Sequence, residues 1–168
     1  MSSSPLKPEK LLLEKTCDRH LPVLLPLFRD SESLHFSSHP YPNSIQDLDR
    51  YLFGPRFLIS YVALNPEKQI TGFIGLKKYP EDTELPLLSF QLGPTFRKQG
   101  NSKHLLHAFF QEHPGASAMQ LGAYARVGHI SSFKTLQRFD FRLEKTLNWG
   151  GSPWWFFQKN DGLGQITL

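Results

Sequence analysis

The run from Leu87 to Phe110, LLSFQLGPTFRKQGNSKHLLHAFF, limits what this chain can fold into more than any other part of it. An apolar segment leads through a basic turn, Arg97-Lys98-Gln99-Gly100-Asn101-Ser102, into a segment whose Leu105, Leu106, Phe109 and Phe110 fall on one helical face. The order predicts a strand, a basic loop and a helix start. The first backbone N–H groups of a helix lack an intrahelical partner and sit at the positive end of its dipole, so such a start binds phosphate. Gly100 lets a ligand approach the main chain, and Arg97 and Lys98 add positive charge. Residues Arg97, Lys98, Gln99, Gly100, Asn101 and Ser102 therefore read as a pyrophosphate cradle. Neither a Walker loop nor a G-x-G-x-x-G fingerprint is present. The loop alone leaves a second reading open, a plain basic turn that caps a helix.

The 168 residues suffice for one core, so a single domain is expected over residues 10–168, after a loose polar tail over residues 1–9. No apolar run approaches the ~20 residues of a membrane span. The opening MSSSPLKPEK lacks the apolar centre of a secretory signal, and Cys17 is the only cysteine, which excludes an intrachain disulfide. The expectation is a cytoplasmic protein with no membrane partner. A net charge of +4 suits an anionic partner, but Lys and Arg are scattered and form no block of the kind that binds nucleic acid.

In chain order, Lys10 to Lys15 predicts a strand, and a helix follows from a Thr16 cap, with Pro22 in its first turn and Pro26 kinking or dividing it. Ser31 to Asn43 is rich in turn formers and predicts a loop. Its His35 and His39 have the spacing of a helical metal pair, but Pro40, Pro42 and the lack of a third ligand argue against one, and no metal is expected. Ile45 to Phe53 predicts a helix capped by Ser44. Arg56 to Leu64 and Gln69 to Lys77 predict an antiparallel pair joined at Asn65-Pro66-Glu67-Lys68, with Gly72 and Gly75 marking a bulge or close packing. Glu84 to Leu92 is the strand that enters the cradle, and the helix after it ends at Pro114-Gly115. A strand over Ala118 to Ala125, a helix capped by Ser131 or Ser132, a strand over Phe141 to Leu147 and a last strand over Trp154 to Gln158 complete the chain.

Pro94, Arg97, Gly100 and Ser102 resemble the central R-x-x-G-x-G/A motif of the GNAT superfamily of N-acetyltransferases, with Ser102 where Gly or Ala is usual. The element order is similar to that family's too. About 30 residues on, His129 to Phe141 resembles its N-x-x-S, short helix, G-F run: Ser132 and Phe141 match, His129 replaces Asn, and Asp140 replaces Gly. The pattern is most similar to the branch that acetylates ribosomal-protein N-termini. The resemblance implies an α/β (α+β) fold, GNAT-like and mixed, with a largely antiparallel central sheet flanked by helices. It implies acetyl-CoA as cosubstrate, held by main-chain groups of Phe90, Gln91 and Leu92, by the loop from Arg97 to Ser102, and by His129 and Ser132. The implied activity is acetyl transfer to a primary amine, on a small molecule or a protein N-terminus, by a monomer or homodimer. Thr135 and Leu136 stand in the neighbourhood of the family's acidic Tyr, and Leu87 where its basic Glu is common. The candidates for proton transfer are then Glu84, Ser89, Tyr124 and His129. The same two departures suit an alternative, a CoA-binding module with weak or absent catalysis.

Overall fold

A computed structural model describes residues 10–36, 42–78 and 85–160. The tail over residues 1–9, Glu84, His39 and the side chain of His35 lie outside the described residues. Seven described strands form one sheet: β1 (Leu12–Lys15), β2 (Phe57–Leu64), β3 (Ile70–Lys77), β4 (Leu87–Leu92), β5 (Leu121–Arg126), β6 (Arg142–Trp149) and β7 (Ser152–Lys159). Their order is β1-β2-β3-β4-β5-β7-β6, and every neighbouring pair is antiparallel except β4 and β5. The mixed, largely antiparallel sheet expected from the sequence is the one observed.

Side chains alternate between the two sheet faces, and each face has its own core. On one face Ile74, Leu76, Leu88, Leu121 and Ala123 pack with Leu105, Leu106 and Phe109 of helix α4 (Asn101–Glu112). On the other, Val62, Leu64 and Phe73 pack with α1 (Leu21–Arg29) and α3 (Ile45–Phe53). The bounds of α3 and its Ser44 cap are as expected, and Ser44 Oγ accepts the Asp47 N–H at 3.1 Å. Gly72 and Gly75 mark close packing, since a Cβ would lie 2.6 Å from the carbonyl oxygen of Gln91 and of Ile59 respectively.

Several local expectations are corrected. The Thr16 N–H extends the ladder to the Ser60 carbonyl, and a 3₁₀ turn over Asp18–His20 intervenes before α1. Pro26 does not divide α1. The one hydrogen bond it removes is outweighed by burial of Leu21, Leu24, Leu27 and Phe28, each worth roughly 1.5–3 kcal/mol. Residues 31–36, expected in a loop, form α2 (Ser31–Phe36), because Asp30 Oδ2 accepts the Ser33 N–H as a helix cap does. Pro114 and Gly115 do not simply end α4 but open a single further turn, α5 (Pro114–Ser117), Pro being well suited to a first helical position. The cap of α6 (Ile130–Arg138) is His129, so Ser131 and Ser132 are the second and third residues of the helix. The β6–β7 hairpin turns on Gly150 and Gly151 alone, both left-handed with φ +57 and +77°, so both strands run longer than expected.

Candidate functional site: a cleft where two strands part

Strands β4 and β5 pair at one position only, Leu87 with Gly122, and separate beyond it. A parallel pair that opens in this way leaves main-chain groups without ladder partners and a gap in the sheet. The gap is the floor of a cleft of about 740 Å³, within the size range of small-ligand sites. Ser89, Phe90, Gln91 and Leu92 line it from β4, Tyr124 and Ala125 from β5, and the starts of α4 and α6 close one end. Register divides the floor by face: Leu88 and Phe90 share the α4 side, whereas Leu87, Ser89 and Gln91 share the opposite side with Lys77 and Gly75.

The loop before α4 has the geometry of an anion cradle. Gly100 caps the helix in the left-handed conformation, φ +73°, with nothing within 4 Å of where its Cβ would stand, so the first-turn amides of Asn101, Ser102 and Lys103 are open to the cleft. Asn101 Nδ2 donates to the Phe96 carbonyl at 2.9 Å and fixes the loop. Thr135 donates to the Ser131 carbonyl at 2.9 Å, which leaves Ser102 as the donor to Thr135 Oγ1, also at 2.9 Å. This bond joins the start of α4 to the middle of α6.

Arg97 has a different part from the one expected. It lines the cleft, but its guanidinium is turned back on the scaffold. It contacts Asp30 Oδ2 at 2.7 Å, Glu32 Oε2 at 3.1 Å, Ser33 Oγ at 2.8 Å and the Leu92 carbonyl at 3.1 Å. Burial pushes the Asp30 carboxyl up, yet the Ser33 amide and the hydrogen bond and charge of Arg97 outweigh it and hold the pKa below the usual range. Arg97 thus clamps the cradle to α2, and Lys98, left-handed at φ +61°, is the exposed cation of the loop. Gln99 does not line the cleft; its Nε2 donates to the Thr95 carbonyl at 3.2 Å.

The remaining expected residues come together. Ser132 Oγ and His129 Nδ1 lie 2.9 Å apart at the cleft wall, and Tyr124 and Ser89 line it nearby. Gln91 carries a buried Oε1 with no hydrogen-bond partner among the described residues, which calls for a donor from a ligand. Among the lining residues not anticipated from the sequence are Lys77 and Trp154. Lys77 ends β3 and is buried, and that burial, with the charge of Arg56 beside it, lowers its pKa to about 7. A Lys closing an aliphatic strand carries no sequence signal that separates an inward amine from a solvated one.

Open amides, an orphaned acceptor and a split sheet fit an extended ligand with a diphosphate at one end and amide groups along its length. No protein-family model matches the chain, and no curated protein matches it in sequence. Solved structures do match in fold. The ribosomal-protein α-N-acetyltransferase RimL with coenzyme A aligns with a TM-score of 0.73 at 15% identity, over 94% of this chain and 97% of that one. The acetyltransferase AAC(6')-Ib with ribostamycin and coenzyme A gives 0.73 at 12%, over 90% and 94%. A GNAT-family acetyltransferase from Bacillus anthracis gives 0.70 at 13%, over 90% and 95%. The fold is the one these acetyltransferases share.

Proposed function

We propose that this chain is an acetyl-CoA-dependent N-acetyltransferase acting on a primary amine. The observation that carries the reading is the coincidence of the β4–β5 split with the cradle at the start of α4, in a fold otherwise found with coenzyme A bound. The amides of Gly100 to Lys103 would hold the diphosphate, with Lys98 adding charge. Main-chain groups of Phe90 to Leu92 and the Gln91 carbonyl oxygen would receive the amide part of the cosubstrate. Bound acetyl-CoA supplies an activated acyl group, and its transfer makes one amide bond to the acceptor nitrogen and releases the CoA thiol.

The chain's own contribution is mainly to align two reactants across the split, an effect worth up to roughly 7–11 kcal/mol of barrier in favourable cases. Tyr124 and His129 are the described side chains best placed to move a proton in the cleft, Tyr124 from β5 and His129 from the cap of α6. Ser89 lines the same stretch and suits hydrogen bonding. Thr135 is committed to Ser102 and Ser131, and Leu87 is apolar, so neither position offers an acid or base. This last observation favours a second reading, a CoA-binding module without turnover.

Calorimetric titration with acetyl-CoA tests the site, and thiol release over a panel of amines separates the two readings. Binding with turnover supports the enzyme, and binding with no release from any amine supports the module. Absence of binding removes both. His129→Asn tests the proton-transfer part: retained turnover makes His129 a cosubstrate contact, and a loss of roughly 10²-fold with intact CoA affinity makes it the acid or base.

A further inference from the structure

Aromatic side chains gather on one side of the split. Ala123 and Ala125 of β5 and Phe157 of β7 belong to the core beneath α4, so strand alternation turns Tyr124, Trp154 and Phe156 to the other face. There Tyr124 packs on Phe156 with ring centroids 4.9 Å apart, and Trp149 lies 6.1 Å from both Tyr124 and Trp154. The group is braced by its neighbours. The Trp154 indole Nε1 donates to the Trp149 carbonyl at 3.3 Å, and Lys145 Nζ sits over the Phe156 ring, 5.5 Å from its centroid.

This cluster begins where the strands part. A Cβ at Gly122, which forms the β4–β5 pair with Leu87, would lie 2.8 Å from Leu87 Cδ2 and 3.0 Å from Phe156 Cε2. Its absence lets the Phe156 ring close up to Leu87, and further along β5 and β7 Tyr124 and Trp154 line the cleft itself. The cradle stands on the opposite side, because its amides belong to α4, whose Leu105, Leu106 and Phe109 pack against the other face of the sheet. A cosubstrate whose diphosphate is held there enters the split from the α4 side, and its reaction partner meets it from the aromatic side.

We propose that the acceptor is an amine carrying a flat aromatic ring, and that Tyr124 and Trp154 are the specificity-determining residues that receive the ring. The proposal rests on the acetyl-transfer reading above and narrows it. Aromatic rings favour offset or edge-to-face neighbours, and the wall is already tilted in this way, with 44° between Tyr124 and Phe156 and 60° between Trp149 and Trp154. A further ring extends that packing. A polyhydroxylated acceptor would instead press hydroxyl groups against ring carbons that cannot hydrogen-bond them, and each such group costs its desolvation.

The test uses the full chain loaded with CoA and three amines of equal charge and similar size, titrated calorimetrically: 2-phenylethylamine, 2-cyclohexylethylamine and 2-(2-aminoethoxy)ethanol. 2-Phenylethylamine should bind about tenfold or more tightly than the hydroxy-ether and about threefold or more tightly than the cyclohexyl amine. Trp154→Leu should remove most of this preference in a protein that still binds CoA, and Trp154→Phe, which keeps a ring, should retain part of it. Tyr124→Leu serves in its place if Trp154→Leu does not fold, and Tyr124→Phe should keep the preference because the ring and not the hydroxyl makes the contact. A hydroxy-ether or cyclohexyl amine bound as tightly as 2-phenylethylamine, binding of none of the three, or a preference that survives both Leu variants overturns the inference. Failure of CoA itself to bind overturns the acetyl-transfer reading and the inference with it; CoA binding without an aromatic preference overturns the inference alone.

Discussion

Two residues near the site hold left-handed backbone for opposite reasons. At Gly100, φ +73°, a Cβ would meet nothing within 4 Å, so a substitution there is opposed by backbone conformation and not by crowding inside the protein. Gly100→Ala should cost about 1–2 kcal/mol of loop preorganisation, and Gly100→Val more, because a β-branched residue tolerates the conformation least. Both losses should appear as weaker CoA binding by calorimetry, and unchanged affinity in a folded Gly100→Val protein would remove the cradle assignment. Asp140 takes the same conformation, φ +65°, just past the end of α6, where the Phe141 N–H bonds back to the Leu136 carbonyl. The GNAT motif that this stretch resembles has Gly here, and Asp keeps the geometry under strain. Asp140→Gly should stabilise the protein by about 1 kcal/mol in urea denaturation; a destabilised variant would show that the Asp side chain contributes something the backbone argument omits.

At the scale of elements, Arg97 joins parts that are distant in sequence. Its contacts to Asp30, Glu32 and Ser33 fix the α1–α2 junction to the loop before α4, with both Arg97 and Asp30 side chains mostly buried. Arg97→Ala leaves the Asp30 carboxylate without its partner and should cost about 3 kcal/mol of stability. The accompanying loss of CoA affinity should hardly change with added salt, because it acts through loop position. Lys98→Ala should show the opposite pattern, little change in stability and a loss of affinity that shrinks as salt rises. This division of labour was not legible in the sequence, where both residues are simply basic neighbours in a turn. What was legible followed from local rules: the Ser44 cap and apolar spacing of α3, the β2–β3 hairpin, and the strand, glycine and helix of the cradle. What was not legible depended on tertiary context. Helix α2 needs Asp30 as cap and Arg97 as counter-charge, α1 survives Pro26 through burial, and the separation of β4 from β5 is a property of the sheet. Of the residues expected to move a proton, Ser89, Tyr124 and His129 line one cleft, while the inward turn of Lys77 was hidden at the end of an aliphatic strand.

For the molecule as a whole, the buried Lys77 ties stability to pH. Its amine is buried, and desolvation, with the nearby charge of Arg56, takes its pKa from 10.5 to about 7. Between those values the unfolded chain holds more protons at this site than the folded one, so this residue's contribution to stability rises with pH from about 7 towards 10.5. Below pH 7 the penalty is complete and constant, with an upper limit of about 5 kcal/mol at 1.36 kcal/mol for each unit of displacement. Lys77→Met removes the penalty and packs the same strand end. The variant should therefore be more stable than the native chain at pH 6.5, and the gap should narrow at pH 9.5, where the folded chain's amine is neutral and removing its proton costs less as the pH nears the unfolded value. Denaturant titrations at the two pH values measure this directly. A gap that does not change with pH, or a variant less stable at pH 6.5, would mean that folded-state interactions compensate the amine and that its burial carries no net cost.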